Sequence, residues 1–227
     1  MKSFNTILKR ASERKGGDDS LFGMLPTSVS QQELAERDDR FYLSMMTRRI
    51  FQAGFVWKVV DAKWGGFEEV FLGFNIEDLM AVSTEEWEEK ARDVRIIRHL
   101  QKVFALRHNV FYMNEVSAQY GSYGVFLAEW PEDDLIGLYG HLKKTGKRLG
   151  GMTGPYFLAS VGKDCFLLTR DVVLCLQDYG LDISDNPTSK RDLQRVQQVF
   201  TDFHAETDLS YRQLSAIMAF SIGENRI

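Results

Sequence analysis

The sequence predicts an all-α protein. Three segments carry the Ser-x-x-Glu/Gln pattern with which a helix begins, at residues 30–33, 83–86 and 210–213. Apolar residues recur at helical spacing across 41–60 and again across 98–113. Alternating apolar and polar runs bounded by turns, the pattern of β-strands, are nearly absent, so a sheet is not expected.

The chain is expected to divide into an N-terminal segment and a helical domain. Residues 1–29 comprise a basic amphipathic helix followed by a linker over 16–29. The helical domain spans 30–227, and a loop over 182–189 precedes its helix from about Lys190. These boundaries fall where polar and turn-forming residues interrupt the helical period.

Composition excludes several classes of protein. With 227 residues, 44% of them hydrophobic, the chain can bury a substantial core, but no apolar run approaches the roughly 18 residues of a membrane span. Two cysteines, Cys165 and Cys175, stand in apolar stretches and predict no disulfide framework, so a reducing cytoplasm is the expected compartment. The four histidines and two cysteines show no metal-ligand spacing, so no metal site is predicted.

The segment 142–171 is the most basic part of the chain: up to residue 170 it holds six basic residues against one acid, a charge of +5 in a chain of net −4. A lysine-rich helix end, the Gly150-Gly151 pair and a second helix start at Thr153 predict a helix–hairpin–helix at about 133–161. Clustered cations and helix-start N–H groups bind phosphate backbones without reading base sequence. The candidate phosphate contacts are Lys147, Arg148, Gly150, Gly151, Met152, Thr153 and Gly154. The alternative is an ordinary helix–helix turn with a solvated basic face.

Three motifs, in the same order along the chain, resemble those of the DNA-3-methyladenine glycosylase I family. LKKTGKRLGGMTGPYF, from residue 142, resembles that family's helix–hairpin–helix motif, LKKxGxxxxGxTxxYxF. QAGFVW at 52–57 resembles its QAGLSW, and IIRH at 96–99, followed by Lys102, resembles its IIRHxxK. The matching positions of the first motif are Leu142, Lys143, Lys144, Gly146, Gly151, Thr153, Tyr156 and Leu158. The resemblance extends over about residues 41–160.

This resemblance implies an all-α, helix–hairpin–helix DNA glycosylase-like fold in which two helical lobes flank a base pocket. It implies an enzyme that binds double-stranded DNA containing a damaged base and hydrolyses the N-glycosidic bond of an alkylated purine such as 3-methyladenine, as a monomer and without a cofactor. Trp57 occupies the place of the family's pocket tryptophan, whose face attracts a cationic base. The alternative for Trp57 is a core aromatic on an apolar helix.

Two departures from the family pattern bear on this expectation. The family's base-binding glutamate lies eight residues before the pocket tryptophan, where this chain has Arg49. An arginine accepts no hydrogen bond and repels a positively charged base. The two cysteines and two histidines with which the family binds zinc are also unmatched. The rival interpretation is therefore a non-catalytic DNA-binding protein on the same scaffold.

Asp171 is the candidate catalytic residue. In the wider superfamily an aspartate roughly two dozen residues after the hairpin starts a helix and steers a water or stabilises the oxocarbenium-like sugar, and Asp171 follows Leu149 by 22 residues. The alternative is an ordinary helix-start aspartate that accepts from the N–H groups of residues 172–174. Pro155-Tyr156 stands where some superfamily members have a Schiff-base lysine, which predicts a monofunctional hydrolase. For a bacterial source, the expected cytoplasmic protein would be associated with the nucleoid.

Overall fold

The computed structural model describes residues 3–223. Within them the prediction of an all-α protein is confirmed, and no strand occurs. The helices are, in chain order, α1 (Asn5–Arg14), α2 (Asp18–Gly23), α3 (Gln31–Glu36), α4 (Asp39–Gln52), α5 (Trp57–Ala62), α6 (Trp64–Val70), α7 (Ile76–Ala81), α8 (Thr84–Arg92), α9 (Leu100–Tyr120), α10 (Tyr123–Glu129), α11 (Leu135–Thr145), α12 (Thr153–Ser160), α13 (Arg170–Tyr179), α14 (Lys190–Thr207) and α15 (Tyr211–Ser221). A 3₁₀ turn, Leu72–Phe74, links α6 and α7. No helix in the described part of the chain is long and apolar enough to cross a membrane.

Side-chain caps start helices at the three predicted positions. The hydroxyls of Ser83 and Ser210 each accept a hydrogen bond from the N–H group three residues on, and the side chain at that third position accepts one from the serine's own N–H. Ser30 accepts from the N–H group three residues on at the start of α3. Each such cap stabilises its helix by about 1 kcal/mol, because it satisfies a backbone donor that has no partner within the helix.

The linker expected over 16–29 is wrong in one respect, because it contains a short helix, α2. The apolar period across 41–60 is shared by two helices, since α4 ends at Gln52 and α5 begins at Trp57. Between them Gly54 has a φ of +80°, a left-handed conformation that glycine adopts without strain and that ends a helix.

One of two compact units combines three stretches of the chain, which within the described residues are 3–29, 131–137 and 164–223. In it α1 packs against α15, and α15 packs against α13. The Arg14 Nε donates a hydrogen bond of 3.0 Å to the carbonyl oxygen of Phe220, which ties the end of α1 to the end of α15. The predicted loop over 182–189 and the helix from Lys190 are both confirmed.

The other compact unit comprises residues 30–130 and 138–163. Its central helix is α9, which packs against α4, α7, α8 and α10. The buried side chains of α9 include Val103, Leu106, Val110 and Met113. Because α12 packs against α4, the second helix of the predicted hairpin lies beside the helix that carries Arg49.

Candidate functional site

The predicted hairpin is formed by α11, α12 and the turn over residues 146–152. Leu149 is buried in this turn. A Cβ atom at Gly154 would lie 2.6 Å from the Leu149 carbonyl oxygen, so the close approach of the turn to the start of α12 requires a glycine there. Gly151 has a φ of +60°, which also favours glycine. The glycines of the motif therefore fix the backbone path of the hairpin.

A buried asparagine holds the turn from outside the hairpin. Asn109, on α9, is 1% exposed. Its amide oxygen accepts a hydrogen bond of 2.7 Å from the Lys147 N–H group, and its amide nitrogen donates one of 3.1 Å to the Lys147 carbonyl oxygen. The sequence analysis did not identify Asn109; the available signal was an amide on the apolar face of α9, between Leu106 and Val110.

The cations of the hairpin differ in their availability. The side chains of Lys143, Lys144, Lys147 and Arg148 are exposed. Arg148 has a φ of +62°, unusual for a residue with a Cβ atom, and donates a hydrogen bond of 2.7 Å to the Gln101 side chain. Lys163, counted among the six basic residues of the segment, is instead buried and donates to a backbone carbonyl group. The interpretation of Lys163 as part of a basic surface is therefore wrong.

Trp57 lies on the surface of the second unit. It is the first residue of α5, and its side chain is 49% exposed, so its interpretation as a core aromatic is wrong. The Tyr156 ring, on α12, meets the indole edge-on, with centroids 6.3 Å apart and an angle of 82°. An aromatic surface is thus open to a ligand, with the second helix of the hairpin at its side.

Arg49 packs on Trp57. Its guanidinium carbon lies 5.1 Å from the centroid of the indole ring. Its Nη1 donates a hydrogen bond of 2.9 Å to the Gln52 side chain, which in turn donates one of 3.0 Å to Asp61. The same carboxylate forms an ion pair of 2.8 Å with Arg48. Gln52 therefore holds the Arg49 cation against the indole, while the carboxylate of Asp61 is engaged by the neighbouring arginine.

The loop between α4 and α5 is held by Lys102. This buried side chain, on α9, donates hydrogen bonds of 3.1 and 2.6 Å to the carbonyl oxygens of Phe51 and Ala53. Its ammonium group lies 4.4 Å from the centroid of the Phe55 ring. Burial, and to a smaller extent the positive charge of Arg148, lower the pKa of Lys102 to about 8. Lys102 therefore fixes the backbone that leads to Trp57.

Asp171 lies in the first turn of α13, in the other compact unit. The N-cap of that helix is Thr169, whose hydroxyl accepts from the Val172 N–H group at 3.4 Å. Thr169 is therefore the N-cap residue of α13, and Asp171 stands two positions after it. A Cβ atom at Gly223 would lie 2.9 Å from Asp171 Oδ1, so the backbone after α15 runs directly beside this carboxylate.

The residues present do not fit the zinc site of the family that the motifs resemble. Across residues 3–223, no three His, Cys, Asp or Glu side chains form a group that could hold a metal ion. Cys165 and Cys175 are both buried, and burial raises the pKa of the Cys175 thiol, which disfavours the thiolate that a metal needs.

The fold defines the class of protein. The structure is similar to that of a Methanocaldococcus jannaschii 8-oxoguanine glycosylase/lyase in complex with DNA, with a TM-score of 0.54 and 14% identity over 95% of this chain and 96% of that one. It is similar to 3-methyladenine DNA glycosylase I from Staphylococcus aureus, with a TM-score of 0.52 and 18% identity over 79% of this chain and 100% of that one. It is also similar to a variant of 3-methyladenine DNA glycosylase I in complex with 3-methyladenine, with a TM-score of 0.52 and 18% identity over 75% of this chain and 92% of that one. The fold is that of the helix–hairpin–helix DNA glycosylases.

A sequence model described as methyladenine glycosylase matches residues 32–145, half of the chain. The chain therefore belongs to the methyladenine glycosylase family of DNA repair proteins. No curated protein matches its sequence. The matched region includes Arg49 and Trp57 and ends before the hairpin turn and Asp171.

Proposed function

We propose that this protein is a monofunctional DNA N-glycosylase that removes an alkylated purine from double-stranded DNA. The observation that carries the proposal is the half-exposed indole of Trp57 beside the Tyr156 ring. A glycosylase must extrude its target base from the duplex, and an exposed aromatic face offers the stacking that the base loses. The alkylated purine to test first is 3-methyladenine, because the motifs of this chain resemble those of the DNA-3-methyladenine glycosylase I family.

The hairpin would hold the DNA backbone. Lys147 and Arg148 are exposed at the turn. The helix α12 begins at Thr153, and its N-cap residue, Met152, makes no side-chain hydrogen bond to the first N–H groups of the helix. Phosphate oxygens would accept from backbone N–H groups of residues 151–154, and the two cations would add a salt-dependent attraction. These contacts do not depend on the base sequence, which suits an enzyme that must remove lesions wherever they occur in DNA.

The chemistry is a hydrolysis at C1′ of the deoxyribose. As the bond from C1′ to the base nitrogen breaks, positive charge develops on the sugar, and the Asp171 carboxylate would stabilise it or orient the attacking water. Pro155-Tyr156, on α12, replaces the lysine that a lyase uses, so the product is an intact abasic site. The protein would act as a monomer without a cofactor, in the cytoplasm, and on the nucleoid if the source is bacterial.

A second candidate is a non-catalytic DNA-binding protein on the same scaffold. It is favoured by the Arg49 guanidinium at 5.1 Å from the centre of the Trp57 ring, because a cation in that place repels a cationic alkylated base. Both candidates share the DNA-binding hairpin and differ only in whether a base is released.

Release of free base from alkylated and deaminated duplex DNA distinguishes the two. We expect release by the wild-type protein, and a large loss of rate in Trp57→Ala and in Asp171→Asn without loss of DNA affinity. Asp19→Asn, an exposed aspartate on α2, is the matched control and should keep the full rate. Tight DNA binding with no base released from any of these substrates would refute the enzyme and support the second candidate.

A further inference from the structure

The candidate catalytic carboxylate lies against the backbone of one glycine. A Cβ atom at Gly223 would lie 2.9 Å from Oδ1 of Asp171, 3.1 Å from its Cγ and 3.2 Å from its Oδ2. The whole carboxylate group is therefore beside this residue, and a larger side chain there would displace it. Gly223 also has a φ of +72°, a conformation that favours glycine. The position of the Asp171 carboxylate thus depends on where this backbone is held.

Arg14, the last residue of α1, holds that backbone. Its Nη2 donates a hydrogen bond to the carbonyl oxygen of Gly223, and its Nε donates one of 3.0 Å to the carbonyl oxygen of Phe220. These two carbonyl groups lie on either side of Ser221, where α15 ends. Because the guanidinium group is planar and rigid, its two bonds fix the turn that leads from α15 to Gly223.

Two further contacts keep the end of α1 in place. Lys15, which follows α1 and is buried, has its ammonium group 4.9 Å from the centroid of the Phe220 ring. Arg10, about one turn before the end of α1, donates a hydrogen bond of 2.6 Å to Asp178, near the far end of α13. The helix α1 precedes residues 32–145, which match the family, so the family resemblance assigns it no role.

We propose that Arg14 is a positioning residue for the glycosylase reaction: it holds Gly223, and Gly223 keeps the Asp171 carboxylate in its reactive position. This inference rests on the proposed function, since it concerns the carboxylate that stabilises the charge developing on the sugar. That stabilisation depends on distance and direction, and a shift of about 1 Å costs up to roughly a hundredfold in rate. Arg14 acts through Gly223 and takes no part in the chemistry itself. The N-terminal helix is then part of the catalytic apparatus.

The test is single-turnover release of base from methylated duplex DNA that contains 3-methyladenine, with the protein in excess and saturating. Arg14→Met should lower the rate constant on the order of tenfold and leave the affinity for DNA unchanged. Gly223→Ala keeps Arg14 but places a methyl group against the carboxylate, and should lower the rate constant similarly. Arg10→Met is the matched control, because it removes the bond to Asp178 and leaves Gly223 untouched; it should keep the wild-type rate constant.

A double variant separates positioning from stability. In the Asp171→Asn background, Arg14→Met should cause no further loss of rate, because its effect passes through that carboxylate. A loss of stability alone reduces the amount of active protein and leaves the rate constant at saturation unchanged. Where Asp171→Asn is too slow to measure, the comparison of Arg14→Met with Arg10→Met decides.

The outcomes distinguish the inference from the proposed function. A wild-type rate constant in Arg14→Met or Gly223→Ala, an equal loss in Arg10→Met, or an equal loss with and without the Asp171 carboxylate would overturn the inference; base release by the wild-type protein would still uphold the glycosylase. A wild-type rate constant in Asp171→Asn would remove the role of that carboxylate, and the inference with it. Failure of the wild-type protein to release any base would refute the proposed function. Where Arg14→Met does not fold, Gly223→Ala decides, because position 223 is exposed.

Discussion

The contact between Asn109 and the hairpin turn allows a quantitative prediction. Asn109→Ala removes two hydrogen bonds, of 2.7 and 3.1 Å, to the backbone of Lys147. Each such bond contributes about 1 kcal/mol net, and a backbone donor left without a partner costs more where water cannot reach it. The Lys147 backbone is partly accessible, so the expected loss is about 2 kcal/mol in the free energy of unfolding.

Tryptophan fluorescence in urea is the suitable assay. All four tryptophans, Trp57, Trp64, Trp87 and Trp130, lie in the second unit, so their emission follows the unit that contains Asn109. At a slope of about 2 kcal/mol per M, the midpoint should fall by roughly 1 M. DNA affinity should fall as well, because the turn that presents the hairpin cations loses its support.

The control is Gln119→Ala, an exposed amide on the same helix, which should change the free energy of unfolding by less than about 0.5 kcal/mol. If Asn109→Ala unfolds at the same urea concentration as the control, the two hydrogen bonds do not stabilise the turn. If it loses stability but binds DNA as tightly as before, the turn is not part of the DNA interface.

Three further predictions concern charged groups. Lys147→Glu with Arg148→Glu should weaken DNA binding at low salt and flatten its salt dependence; unchanged affinity would remove the hairpin from the interface. Burial lowers the pKa of Lys102 to about 8, against 10.5 for an exposed lysine, so between these values the unfolded chain holds a proton that the folded protein has released. The free energy of unfolding should therefore gain a contribution that rises with pH in that interval, and Lys102→Met should abolish it, as urea titrations at about pH 7.5 and 9.5 would show. Arg14→Met should cost about 1–2 kcal/mol of unfolding free energy, measured by circular dichroism in urea, since it removes the hydrogen bonds to the carbonyl oxygens of Phe220 and Gly223; an equal midpoint would contradict this.

Local chemistry accounts for the parts of the fold that the sequence predicts. Ser83 and Ser210 open helices because each serine and the residue three positions on satisfy donors that lie next to one another in the chain. The helix α2 could not be predicted in this way, because it has only six residues, no side-chain cap and one buried residue, Leu21. The helix break at Gly54 lies within an apolar period that continues on both sides. Because the positive φ angle of one residue does not change the spacing of apolar residues, that spacing alone does not predict the break.

The candidate site is less predictable because its contacts join distant residues. The spacing of Arg49 and Trp57 relates them to family positions, but their stacking depends on the turn after α4. Asn109 meets Lys147 across 38 residues, and Lys102 meets the Phe51 carbonyl across 51. Helical periodicity assigns a residue to a face of its helix, and tertiary packing decides what that face meets.

The pairing of α1 with α15 also determines the order in which the protein can be completed during synthesis. The Arg14 bond to Phe220 spans 206 residues. Translation proceeds at roughly 5–20 residues per second, so α1 leaves the ribosome many seconds before its partner helix exists. The second unit is drawn from residues 30–130 and 138–163, all of which are synthesised before α15. The face of α1 that packs on α15 therefore has no partner there until Tyr211–Ser221 has been made.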